Sequence, residues 1–394
     1  MLAAAKPHDP VRWARLVSLL AYMRGDPEFV TTSVRPALDI AHQAGDFSAE
    51  AGCLYALAMA SAGDSAQFER AFELAAQSGS AQFTIWSAMN AVWSVVGTES
   101  AEAKFERVAS LGADYDDETF HFNVLGMRTQ HAAMRGHQTE ATRLARLALQ
   151  HENKSLTTEW VVTAAVMLTA LQGDDRELRR LADKHFGPEL RELPDSQWWV
   201  QLFNAAGALA EPERPSSSLS VPSPLQFCLI ASDLVARVLL TDGRLDDAVA
   251  WAKQVPTSWP AAHASAGLAL AWVAVQRGDP DAAQLTHDAL SEAAELGLRP
   301  FATEVLELLA SQWARESSHS QVARLLGAAA ATRAEMGLQW RYPYHQAAVD
   351  AAYERLREGL GGEPFEAELR EGADTSLEDA VHFAEHMRPT PIAR

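Results

Sequence analysis

The sequence predicts an all-α protein, a right-handed superhelical solenoid of about nine helix pairs with a C-terminal helical cap. Three observations predict it. Glycine returns at a nearly constant interval at Gly25, Gly63, Gly97, Gly136, Gly173, Gly243 and Gly278, with gaps of 38, 34, 39, 37, 70 and 35 residues. If the 70 counts as two periods, the step is about 36 residues, the spacing of a repeated helix–turn–helix unit. The intervening segments are rich in Ala and Leu, which favours helix throughout. Small residues also recur at two offsets. Ser18, Ala56, Thr129, Ala236 and Ala271 stand seven before a glycine, and Ala141, Ala248 and Ala283 stand five after one.

The first element lies within residues 1–26, where Arg12, Arg15 and Arg24 interrupt an apolar run. That pattern is an amphipathic helix rather than the core of a signal peptide. The fourth unit shows the repeat most plainly. Its first helix is expected over Thr119–Arg135, its turn at Gly136-His137 and its second helix over Thr139–Gln150. Leu144, Leu147 and Ala148 form an i, i+3, i+4 apolar stripe on that second helix. Thr139 suits the helix start, and Glu140 suits its first turn. Glycine ends the first helix because it alone takes a left-handed conformation without a Cβ clash.

The 70-residue gap hides a damaged repeat. A first helix is expected over Ser196–Ala210, but residues 211–224 read EPERPSSSLSVPSP, whose prolines cannot continue a helix. This segment is a surface loop or a hinge. It divides N-terminal repeats (1–210) from C-terminal repeats (225–320) and a helical cap (321–394). Within the cap, helices are expected near 321–336, 345–359, 363–371 and 376–387. Ser376 should cap the last, with Glu378 and Asp379 in its first turn.

Composition narrows the function. Of 394 residues, 52 are acidic and 33 basic, giving a net charge of −19. That balance opposes direct nucleic-acid binding, which depends on Lys and Arg releasing counterions. No apolar run reaches the length of a membrane span. The two cysteines, Cys53 and Cys228, read as buried free thiols of a reducing cytoplasm. A cytoplasmic protein, with self-association open, is expected.

The two small-residue offsets resemble those of tetratricopeptide repeats, although Asn90, Val166, Val30, Phe68 and Leu178 depart from them. The tail carries a more specific resemblance. Residues Ala323, Arg324, Leu325, Leu326, Gly327, Ala328 and Ala329, then Gly337, Leu356, Arg357, Leu360, Gly361, Phe365 and Gly372, lead to Ser376, Leu377, Glu378, Ala380 and Val381. This order resembles the C-terminus of large actinobacterial transcriptional regulators of the LuxR, AfsR and MalT type and of adenylyl-cyclase-like proteins. In them a signal-transduction ATPase precedes tetratricopeptide-like repeats. The resemblance implies a non-catalytic ligand-sensing or protein-interaction arm of a bacterial regulator, binding a peptide, protein or small molecule in a concave groove. A stand-alone peptide-binding scaffold is the alternative, and a helical-repeat enzyme a third reading.

The chemistry of an enzyme is not evident. No G-x-x-x-x-G-K-[ST] occurs, so no P-loop is present, and no cofactor is expected. His382 and His386 lie at i, i+4 but lack an evident third metal ligand, so they read as solvated and no metal is expected. Asp116-Asp117, Asp174-Asp175 and Asp246-Asp247 fall at turns, where carboxylates complement helix starts. Eleven tryptophans remain, and core packing accounts for most. The candidate groove residues are Trp86, Asn90 and Trp93 on the third unit, Asn123 and Arg128 on the fourth, and Trp198 and Asn204 on the sixth. Asn and Arg on an inner helix can hydrogen-bond a peptide backbone or carboxylate.

Overall fold

The computed structural model describes residues 9–24, 29–60, 65–115, 118–150, 229–255, 257–315, 319–338 and 341–387. Among them the structure is all-helical, with no strand. Numbering the described helices in chain order, α1 is Pro10–Arg24, α2 Arg35–Ala44, α3 Phe47–Ala60, α4 Ser65–Ser78, α5 Ala81–Trp93, α6 Ser100–Tyr115, α7 Glu118–Met134 and α8 Gln138–Gln150. From residue 229 onward follow α9 Leu229–Thr241, α10 Leu245–Ala252, α11 Pro260–Arg277, α12 Ala282–Glu295 and α13 Arg299–Trp313. The tail folds as α14 His319–Met336, α15 Pro343–Leu360, α16 Gly362–Ala373 and α17 Leu377–His386. A five-residue π-helix, Val30–Val34, leads into α2.

The predicted turn at Gly136 shows why these helices stop where they do. Its φ is 82°, a conformation that costs any Cβ-bearing residue. There His137 N–H donates to the Ala132 carbonyl at 2.8 Å and Gly136 N–H to the Ala133 carbonyl at 3.1 Å. This is the Schellman closure of a helix C-terminus. Gly243 and Gly278 close α9 and α11 in the same way. A second glycine series, absent from the predicted one, closes other helices identically. Gly45, Gly79, Gly297 and Gly337 end α2, α4, α12 and α14. Gly25, Gly63, Gly173, the 211–224 segment and Cys228 lie outside the described residues.

Two compact units divide the chain. One comprises Met1–Val96, Ser100–Met127 and Pro256–Pro260. In it α3 packs on α1, α2 and α4, and α5 on α4 and α6. Its core joins Trp13, Val17 and Ala21 of α1 to Cys53 and Ala56 of α3, with Ser18 buried beside them. Burial pushes the Cys53 thiol up to about 12, with Asp46 and Glu50 adding to the effect.

The other unit comprises Gly97–Glu99, Arg128–Val255 and Ala261–Arg394. Here Ala132 and Ala133 of α7 meet Ala141 and Ala145 of α8, and Thr129 is buried. The expected stripe holds at Leu144, which is buried, but Leu147 is 37% exposed. The inward face of α8 is therefore Ala141, Leu144 and Ala145. Helix α13 is the axis of this unit, buried continuously from Pro300 to Ser311 and packed by α12, α14, α15 and α17. The cap helices fall within two residues of expectation, and Ser376 Oγ accepts from Asp379 N–H at 3.0 Å to cap α17. Among the small-residue positions Ala236, Ala248 and Ala271 are buried, but Ala283 is exposed. Pro280 and Asp281 extend the turn after Gly278, so α12 starts late and buries Ala282 in place of Ala283.

Candidate functional site

The predicted groove residues fall in different settings. Trp86 and Asn90 meet on α5, where Asn90 Nδ2 donates to the Trp86 carbonyl at 2.9 Å and to the Tyr55 hydroxyl at 3.1 Å. Trp86 is half-buried against a cluster that contains Tyr55, Phe68 and Ala91. Trp93 and Asn123 are buried, at 8% and 2% exposure. Arg128 is half-buried and belongs to the other unit. Trp198 and Asn204 lie outside the described residues. Among the other tryptophans, Trp251, Trp272 and Trp313 are fully buried core residues. Asp246 and Asp247 occupy the first turn of α10, as expected of helix-start carboxylates, and engage Arg277 and Arg244 respectively.

A feature that the sequence reading missed lies inside the second unit. Glu304 and Glu307, one helical turn apart on α13, both point into the core. Glu304 Oε1 is paired with Arg237 of α9 and accepts from Trp272 Nε1 at 2.7 Å. Arg237 also donates to the Tyr344 hydroxyl at 3.0 Å and lies 4.9 Å from the centre of the Tyr342 ring. Glu307 receives Arg341 Nε at 3.1 Å, with Arg333 at 3.5 Å and His345 Nε2 at 2.7 Å. The aromatic rings of Trp272 and Tyr344 close this cluster edge to face at 5.0 Å.

Burial alone would raise both carboxyls. For Glu304 this is outweighed by Arg237, His345 and the Trp272 donor, which hold it below the ordinary range. For Glu307 it is outweighed by His345, Arg333 and Arg341, which hold it at about 2. Burial likewise lowers Arg333, against the pull of Glu307. Each acid is held ionised by its cationic partners, and the ion-paired cluster joins residues of five helices, α9, α11, α13, α14 and α15.

The accessible recesses lie elsewhere. One cleft of about 630 Å³ is lined by Arg143, Arg146, Thr142, Leu147 and Met336. Arg143 is already spent on Glu140, with two contacts of 2.7 Å. A second, of about 380 Å³, runs between α12 and α17 past Leu298, Leu377, His382 and Glu385. No helix among the described residues is long and apolar enough to cross a membrane.

The chain is 28% identical over 309 residues to proteins of Mycobacterium tuberculosis and Mycobacterium bovis, each described as a "Putative HTH-type transcriptional regulator". The matched stretch is 77% of this chain but 31% of those proteins, so the chain spans about a third of their length. No family model matches.

Proposed function

We propose that this chain is the non-catalytic sensing or protein-interaction arm of a bacterial transcriptional regulator, built from tetratricopeptide-like helix pairs stacked as a right-handed solenoid. The observation that carries this reading is the match to HTH-type regulators over most of this chain but only 31% of their length. We read a region of that extent as an arm beside the DNA-reading part of such a protein. The recurring glycine-closed helix pairs support a stacked array, in which each pair buries its apolar face on its neighbours. The ligand, a peptide, protein or small molecule, would lie against the first helices of the pairs, as on α5, where Trp86 and Asn90 stand. With a net charge of −19, it is neutral or basic on its contacting face.

In-frame removal of this coding segment in the cell of origin, followed by RNA sequencing, tests the reading. A defined set of transcripts should change and return on complementation. An unchanged transcriptome with altered protein complexes would support the stand-alone scaffold instead. Robust hydrolytic turnover by the purified chain, abolished by one substitution, would establish an enzyme.

A further inference from the structure

His382, Glu385 and His386 stand together on the exposed face of α17, and their ligand atoms all lie within 4.8 Å of one another. The sequence reading left the two histidines without a third ligand. Glu385 supplies it, because positions i, i+3 and i+4 of a helix share a face. The imidazole centres are 4.2 Å apart. Nδ1 of His386 is 2.7 Å from the His382 carbonyl oxygen, which only accepts. Nδ1 therefore carries the proton, and Nε2 keeps its lone pair for a ligand. Metal-binding histidines are fixed in their tautomer by an outer hydrogen bond of this kind. Glu385 is itself anchored from α12, its Oε1 accepting from Ser291 Oγ at 3.0 Å.

We infer that this cluster is a binding site for a divalent transition ion, zinc foremost, held by two imidazoles and one carboxylate with the remaining position open. That donor set suits zinc, whereas calcium and magnesium take oxygen ligands. Zinc bonds of about 2.0–2.1 Å require ligand atoms about 3.4 Å apart in a tetrahedron. The triad reaches that spacing by small rotations, which its exposure leaves open. His382 and Glu385 also line the recess of about 380 Å³ between α12 and α17, so the open position adjoins a cavity that admits water or a small carboxylate. Since Glu385 is tied to Ser291, the ion strengthens the seating of α17 on α12 and stabilises the folded chain by mass action.

The test is calorimetric titration of the full chain, carrying no histidine tag, with zinc chloride. The His382→Ala/His386→Ala variant should lose affinity at this site by about tenfold or more, the lower end of what losing even an outer-shell partner costs. Cobalt should give the visible bands of a four-coordinate ion in the wild type and not in the variant. All three side chains are exposed, so circular dichroism should stay unchanged. Identical zinc isotherms for wild type and double variant would overturn the site. An unchanged isotherm for Glu385→Ala would overturn the three-ligand assignment.

Discussion

Gly327 of α14 and Gly372 of α16 are reciprocal: each sits where the other helix's backbone leaves no room for a side chain. A Cβ on Gly327 would stand 2.2 Å from the Leu369 carbonyl oxygen, and one on Gly372 would stand 2.0 Å from that of Arg324. Leu369 and Arg324 each lie three residues before the opposing glycine. Backbone cannot give way as a flexible side-chain tip can. Gly→Ala within a helix ordinarily stabilises by up to about 1 kcal/mol. Here Gly327→Ala or Gly372→Ala should instead destabilise by about 1–3 kcal/mol through overpacking. Urea unfolding monitored by circular dichroism reads the sign directly.

Glu307→Gln should be among the most damaging single changes in the carboxy-terminal unit. It leaves Arg333, Arg341 and His345 facing a neutral amide inside the core. Removing one partner from a buried ion pair costs about 3–5 kcal/mol. Thermal unfolding of the variant measures it, and a loss of less than 1 kcal/mol would show that the cluster relaxes around the amide.

The same carboxyl sets an acid limit. Its folded value, about 2, is depressed from the ordinary 4.5. A depressed carboxyl contributes stability that is complete above the unfolded value and is lost as pH falls through the folded one. Unfolding midpoints of the wild type should therefore fall steeply from pH 5 towards about pH 2, with Glu304 lowered in the same direction. Glu307→Gln should show a shallower profile that converges on the wild type at the acid end.

Ser376→Ala removes the side chain that caps α17 through Asp379 N–H. The expected cost is about 1 kcal/mol, with Ser376→Gly costing only a few tenths. Hydrogen exchange at the first turn of α17 should quicken in the alanine variant alone.

Local code was legible in the sequence, and long-range pairing was not. Gly136 and Gly243 marked helix ends because a single residue decides that geometry. The four tail helices lie within two residues of their expected bounds, and the Ser376 cap was legible from its acidic neighbours. Glu304 and Glu307 escaped notice because PFATEVLELLA reads as an apolar helix with charges turned to solvent. Their partners lie 26 to 67 residues away in sequence, and only packing brings them together. Asn90 illustrates the same limit, since its hydrogen-bond partner Tyr55 is 35 residues distant. Ala283 missed its expected place because two turn residues delayed a helix start, a shift that a fixed offset cannot register.

Cys53 gives the amino-terminal unit a chemical timer. With its thiol pushed up to about 12 by burial, very little of it is the reactive thiolate at pH 7. Its sulfur is sealed beneath α1. Alkylation by iodoacetamide must therefore wait for that seal to open, provided that Cys228 has been replaced by serine. The labelling rate then counts openings of this unit alone, while the rest of the chain stays silent to the reagent.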